Sequence, residues 1–289
     1  MTHSRRQFLR RTAATTTGLG VLGATAGNAA AYSIPMVSTR DHFDDDGDLV
    51  SAETATSYDT VGAVPGTDAA CTGDVLVFAH GWTKNSDTPE QDAKEKFAEV
   101  KGHLQKAGYG GTFVGYTWDN DAGGGIDFGW GEAQDVAQAN GAKLAHYLLD
   151  LGATCSGADI RLLSHSLGAQ VVLSTLRYLQ AWEWDRAVTS LHLMGAAQDN
   201  EAPSTEWPDT YTAIRDYTGE TYNYYSEADD VLQWAYNTFE WDQALGETGL
   251  EDGNTAPGNY VDYDGTSQVG DDHSAYSDTL ADEIVAHMR

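Results

Sequence analysis

The sequence predicts an α/β protein: a mostly parallel sheet flanked by helices. Two observations carry that prediction. From about residue 70 onward, short β-rich runs alternate with segments of helical length, the order produced when each strand returns parallel to the last through a right-handed crossover. The first of those runs, 74–79 (DVLVFA), is apolar almost throughout, as a strand covered on both faces requires. At 289 residues the chain is long enough to bury a sizeable core in one large domain or two small ones.

Each element has its own signal. After the 74–79 strand, a helix is expected over 88–106, opened by Thr88 as N-cap and Pro89 in the first turn. The run 112–117 (TFVGYT) is the next strand. An amphipathic helix follows, with Ala133, Val136, Ala137, Asn140, Leu144, Tyr147, Leu148 and Leu151 recurring at helical spacing. Residues 160–163 read as a third strand and 167–180 as the helix directly behind it. Later strands are expected at 188–194, 222–226 and 260–264, with a last helix over 274–287. In such sheets, catalytic groups sit in loops at the carboxyl ends of the strands.

Charge narrows the class of partner. There are 44 Asp and Glu against 16 Lys and Arg, a formal charge of −28, so phosphate backbones are repelled and nucleic acid is not expected as a ligand. An apolar fraction of 41% with 8 Trp, 15 Tyr and 7 Phe argues for a folded chain. The composition resembles that of secreted proteins from salt-loving archaea. Four of the ten Arg stand at positions 5, 6, 10 and 11, in a Ser-Arg-Arg-Gln-Phe-Leu context. An uncharged, Ala- and Gly-rich stretch follows, ending in Ala29, Ala30 and Ala31. Residues 1–31 therefore read as a removed twin-arginine signal peptide, not a stable membrane anchor, which makes the expected protein secreted. Residues 32–70 read as an acidic N-terminal lead-in and 71–289 as the catalytic domain. Asp44, Asp45, Asp46 and Asp48 only superficially suggest a calcium loop. Counted from Asp44, Leu49 and Ala55 occupy the sixth and twelfth places, where Gly and Glu are needed. No metal or cofactor is expected.

The sharpest motif is Ser164-His165-Ser166-Leu167-Gly168, set between an expected strand and an expected helix. There a tight turn lifts the central Ser into the cleft, and the helix amino terminus favours developing negative charge. A serine hydroxyl needs a base, and the base needs an orienting carboxylate. In the chain order Ser, acid, His, the candidate bases are His192, His273 and His287. His192 lies inside an apolar strand and His287 next to a terminus expected to fray. His273, in the polar loop 270–274, is the chosen base. His165 is expected to pack or hydrogen-bond. For the acid, Asp229 after the 222–226 strand is preferred, with Asp230 and Asp199 as alternatives. His80-Gly81-Trp82 leaves the first core strand, and the backbone N–H groups of Trp82 and Leu167 form the expected oxyanion hole.

Together these residues resemble the α/β-hydrolase superfamily from Asp74 to the carboxyl terminus. The His80-Gly81-Trp82 turn, Tyr116-Thr117-Trp118-Asp119, Asn140-Gly141 and the Ser164–Gln170 stretch resemble its lipase and esterase branch. Ser164 departs from the usual Gly at the start of the elbow. The resemblance implies an α/β-hydrolase fold with an eight-stranded, mostly parallel sheet and no large lid domain. It also implies hydrolysis of a small-molecule ester or lipid through an acyl-enzyme. The same triad supports amide, peptide or polyester cleavage, and an inactive binding module of the same fold is the remaining alternative. In the family fold, the strands following Cys71 and Cys155 are parallel neighbours, which places both cysteines at the end of the sheet opposite the site, where a disulfide is expected.

Overall fold

The computed structural model describes residues 34–289 except 45–46, 71–72, 84–87, 122–128 and 241, and the side chains at 237 and 239. The expected signal peptide and the lead-in up to residue 33 lie outside the described residues. Residues 34–289 form one compact unit.

Its centre is an eight-stranded sheet. The strands are β1 (Met36–Ser38), β2 (Asp59–Val61), β3 (Asp74–Ala79), β4 (Thr112–Thr117), β5 (Asp159–His165), β6 (Val188–Met194), β7 (Thr218–Tyr225) and β8 (Tyr260–Asp264). They lie in the order β2-β1-β4-β3-β5-β6-β7-β8, and only the β1–β2 pair is antiparallel. This is an α/β-hydrolase fold, as expected. Alternation along β3 sends Val75, Val77 and Ala79 to one face of the sheet and Leu76 and Phe78 to the other, all fully buried. The first face is covered by α2 (Trp130–Thr154) and α3 (Gly168–Ala181). The second is covered by α1 (Pro89–Lys106) together with α8 (Tyr276–Thr279) and α9 (Ala281–His287). The remaining helices are α4 (Pro208–Tyr217), α5 (Asp230–Ala235), α6 (Leu245–Thr248) and α7 (Thr266–Val269), with a π-helical turn at Tyr236–Glu240. No described helix is long and apolar enough to cross a membrane.

Several expectations are corrected. The boundary at residue 71 is not a boundary, because residues 34–70 supply β1 and β2 to the sheet. These strands are three residues each and carry no periodic signal. Polar side chains on α2 pin the segment instead. The fully buried Lys143 donates through Nζ to Thr54 O (2.6 Å), Ser57 O (3.1 Å) and His42 Nδ1 (3.1 Å), and Tyr147 donates to Pro65 O. Burial lowers the Lys143 pKa, with nearby Glu53 opposing that shift. The expected last helix over 274–287 is two helices broken at Leu280. His287 does not fray: its ring stacks on Tyr222 at 4.2 Å, and Nδ1 lies 3.0 Å from the Tyr224 hydroxyl.

Val75 pairs with Ile160 in the parallel β3–β5 ladder, so the residues preceding these strands share one end of the sheet. Cys155 is disulfide-bonded there. Its expected partner, Cys71, lies outside the described residues.

Candidate active site

Strand β5 ends at His165, and the chain reverses at Ser166 with φ at +54°. This left-handed conformation costs a non-glycine residue about 1–3 kcal/mol and persists only where its surroundings enforce it. Here Ser166 N donates to Met194 O (3.0 Å), and Ser166 O accepts from Ala169 N (3.0 Å) and Ala197 N (3.1 Å). Leu167 caps α3, which begins at Gly168. A Cβ on Gly168 would lie 2.4 Å from Ala79 O, so only glycine lets the helix start this close to β3. Ser164, in the place where Gly is usual, is fully buried, and its hydroxyl has no partner. The elbow tolerates the extra atoms without hydrogen-bonding them.

The turn after β3 lies directly over the serine. A Cβ on Gly81 would come 2.7 Å from Ser166 Cβ and 3.0 Å from His165 O. Neither atom can swing away, so Gly81→Ala must push the elbow and the turn apart. The expected result is a roughly hundredfold loss of kcat, the scale set by a displacement of about 1 Å. Steady-state kinetics on the folded variant check it.

His273 occupies the loop between α7 and α8. Its Nδ1 lies 2.7 Å from Asp229 Oδ2. A carboxylate only accepts, so Nδ1 carries a proton, and in the neutral imidazole the lone pair then lies on Nε2. Nε2 is buried without a partner. Asp229 itself is fully buried at the N-cap of α5. Its Oδ1 accepts from Leu232 N (3.0 Å), and its Oδ2 also accepts from the Tyr276 hydroxyl (2.9 Å). Burial, reinforced by the Asp229 charge, raises the Tyr276 pKa far above the usual tyrosine value, which keeps that hydroxyl a donor. The His165 ring stands 4.7 Å from the His273 ring, and its Nε2–H donates to His273 O (2.7 Å). Burial, and then the neighbouring His273, hold His165 well below the ordinary histidine value. It is a neutral donor that fastens the His273 loop.

Of the three carboxylates considered, the structure brings Asp229 to His273. Asp199 instead accepts from Glu201 N and pairs with Ala244, while Asp230 begins α5 with its side chain exposed. His192 is a core histidine between the Tyr224 and Ser190 hydroxyls; burial, and then Arg161, push it down to about 3. Leu167 follows Ser166 directly, and Trp82 follows Gly81, the residue packed against the serine. The Trp82 ring packs edge-on to Trp130 at 5.6 Å, and Trp130 packs the same way on Tyr236 at 6.1 Å. Trp130 Nε1 donates to Glu240 (2.6 Å). Trp234, on α5, is exposed and Tyr236 buried; Phe128, Trp241 and the Phe239 side chain lie outside the described residues. Sequence reasoning missed Tyr276, whose spacing from Asp229 carries no signal.

The family model described as a protein of unknown function, DUF726, matches residues 121–289. That span is more than half of the chain and contains Ser166, Asp229 and His273. The chain belongs to this family. A comparison with curated sequences finds no match. Among solved structures, an acetylxylan esterase shares 14% identity over 76% of this DUF726 chain and 98% of its own, with a TM-score of 0.42. A type II thioesterase from the yersiniabactin biosynthetic pathway shares 13% over 75% and 91%, with a TM-score of 0.38. A Xanthomonas campestris serine hydrolase without a lid shares 17% over 77% and 84%, with a TM-score of 0.34. At these scores, any chemical reading of the DUF726 chain rests on its own residues.

Proposed function

We propose that this chain is a secreted serine hydrolase that cleaves carboxylic esters through an acyl-enzyme on Ser166. One observation carries the reading: a buried carboxylate holds His273 in the tautomer that leaves Nε2 free, in a loop tied to the residue preceding a left-handed serine. In the acylation step, Ser166 Oγ bonds to the ester carbonyl carbon as His273 Nε2 takes its proton. The carbonyl oxygen becomes an oxyanion facing the N–H groups of Trp82 and Leu167. The C–O bond to the alcohol then breaks, with the proton returned to the leaving oxygen. Water repeats the sequence on the acyl-enzyme, releasing acid and free serine. Asp229 stabilises the imidazolium formed in both halves.

A cavity of about 230 Å³ lies between the His80-Gly81-Trp82 turn and α1, with His165, Ala93 and Lys96 in its wall. Its lining includes Trp82 and His165 but neither Ser166 nor His273. A larger concavity of about 610 Å³ around Arg177 is lined by none of the site residues. The deciding experiment is labelling of the folded protein with a fluorophosphonate, with the modified peptide mapped by mass. Adduct on Ser166 supports the reading, and an unmodified Ser166 overturns it.

Export through the twin-arginine route and adaptation to salt belong to the same proposal and rest on residues 1–31 and on the charge. Removing that segment, with its four arginines and no acidic residue, takes the formal charge from −28 to −32. Self-repulsion of that size is screened by salt. The melting temperature is therefore expected to rise from dilute to molar salt, as circular dichroism would show. A constant value would remove the halophilic part of the proposal.

A further inference from the structure

The oxyanion turn is held from behind by a side chain of the amino-terminal segment. Gly81 O accepts two hydrogen bonds, from His80 Nδ1 (2.9 Å) and from Asn120 Nδ2 (2.7 Å). The described peptide bonds are all trans, so the N–H of Trp82 points opposite to the carbonyl of Gly81 in the same rigid plane. Whatever fixes that carbonyl also aims the N–H of Trp82.

Both donors lead back to Arg40. An asparagine amide presents either its oxygen or its NH2 after a half-turn. Arg40 Nη2 donates to Asn120 Oδ1, so the NH2 end is the one that faces Gly81 O and Thr83 Oγ1. Arg40 Nε donates to Thr117 Oγ1 (2.9 Å). That occupies a lone pair of the hydroxyl and leaves its hydrogen for His80 Nε2 (3.2 Å). His80 thereby carries its own proton on Nδ1, the atom facing Gly81 O. Burial, with the Arg40 charge in second place, pushes the His80 pKa down to about 3, so this ring stays neutral. Arg40 is itself clamped by Asp121 (2.9 Å) and Pro89 O (3.3 Å), and Trp118 Nε1 ties His80 O (3.0 Å).

We infer that Arg40 is a positioning residue of the oxyanion hole, acting through Asn120 and through Thr117 and His80 on the Gly81–Trp82 peptide. The inference rests on the serine-hydrolase reading, because it assigns the peptide a partner formed only during that reaction. Donors aimed before the reaction act on the transition state and not on the bound ester. Loss of either arm should therefore lower kcat and leave KM nearly unchanged.

The test compares wild type with Arg40→Gln, Thr117→Val and Asn120→Leu on a nitrophenyl ester, and measures inhibition by a phenylboronic acid. The boronic acid forms a tetrahedral adduct on the serine, with an oxygen in the oxyanion position. Each variant is expected to lose about ten- to hundredfold in kcat, less than the hundred- to thousandfold of an oxyanion donor removed outright. KM should stay within about twofold, and boronate affinity should fall in step with kcat/KM. Thr117→Val and Asn120→Leu each cut one arm, so the comparison stands even if Arg40→Gln does not fold. Folded variants with kcat within twofold of wild type would overturn the inference, as would a kcat loss with boronate affinity unchanged. A wild type that a fluorophosphonate does not label at Ser166 overturns the serine-hydrolase reading as well, whereas a labelled, active wild type with unaffected variants overturns only the role of Arg40.

Discussion

Ser166→Ala is expected to lower ester hydrolysis by roughly 10⁴–10⁶-fold, the range seen when a nucleophile that works as one unit with its base is removed. Fluorophosphonate labelling should vanish with it. The fold has no reason to change. The hydrogen bonds that hold the elbow use the backbone N and O of residue 166, and alanine keeps the Cβ that Gly81 already accommodates. Alanine adopts the left-handed conformation at a cost similar to that of serine, so the melting temperature should stay within a few degrees. Activity above one-hundredth of wild type in a folded variant would mean that another group attacks the ester. A sharp drop in melting temperature would instead show that the hydroxyl has a structural role in the resting enzyme.

The fold was legible where short runs rich in apolar and β-branched residues alternate with segments of helical length. Asp74–Ala79, Thr112–Thr117 and Val188–Met194 stand where the sequence puts them. It was illegible where strands are short and held by buried polar contacts made from a distance. The segments on either side of β2 are held by Lys143 and Tyr147, which bond Thr54 and Pro65 across 89 and 82 residues of chain. Nothing in the local pattern of 34–61 shows that a lysine on α2 will bond its carbonyls. The site divides in the same way. The elbow is local, and the tight spacing of Ser166, Leu167 and Gly168 announces it. The pairing of Asp229 with His273 spans 44 residues, and chain order alone left Asp199 and Asp230 open. The supports behind the site were least visible. Tyr276 and Arg40 act through contacts that become apparent only once the sheet has brought their loops together, and Arg40 sits in a segment whose sequence reads as a lead-in.

Asp229→Asn tests the acid more sharply than truncation would, because the surrounding donors dictate how the amide must sit. Leu232 N–H is buried and donates to Oδ1, so the amide oxygen is held on that side to avoid leaving the N–H unpaired. The NH2 then occupies the place of Oδ2, facing His273 Nδ1 and the Tyr276 hydroxyl. Tyr276 adapts readily, since its hydroxyl also lies 3.2 Å from Gly246 O and can donate there. His273 adapts only by giving up its Nδ1 proton, which moves the hydrogen to Nε2 and removes the lone pair that should take the proton of Ser166. A folded enzyme with the wrong tautomer is the expected product, with kcat lower by on the order of 10⁴. Asp199→Asn, at a carboxylate whose observed partner is Glu201 N, should leave kcat within about twofold. Steady-state kinetics on both variants, with near-ultraviolet circular dichroism to confirm packing, distinguish the two carboxylates. If Asp199→Asn were the inactive variant and Asp229→Asn the active one, the acid would follow β6 instead of β7, and the hydrogen bond from His273 to Asp229 would have no part in catalysis.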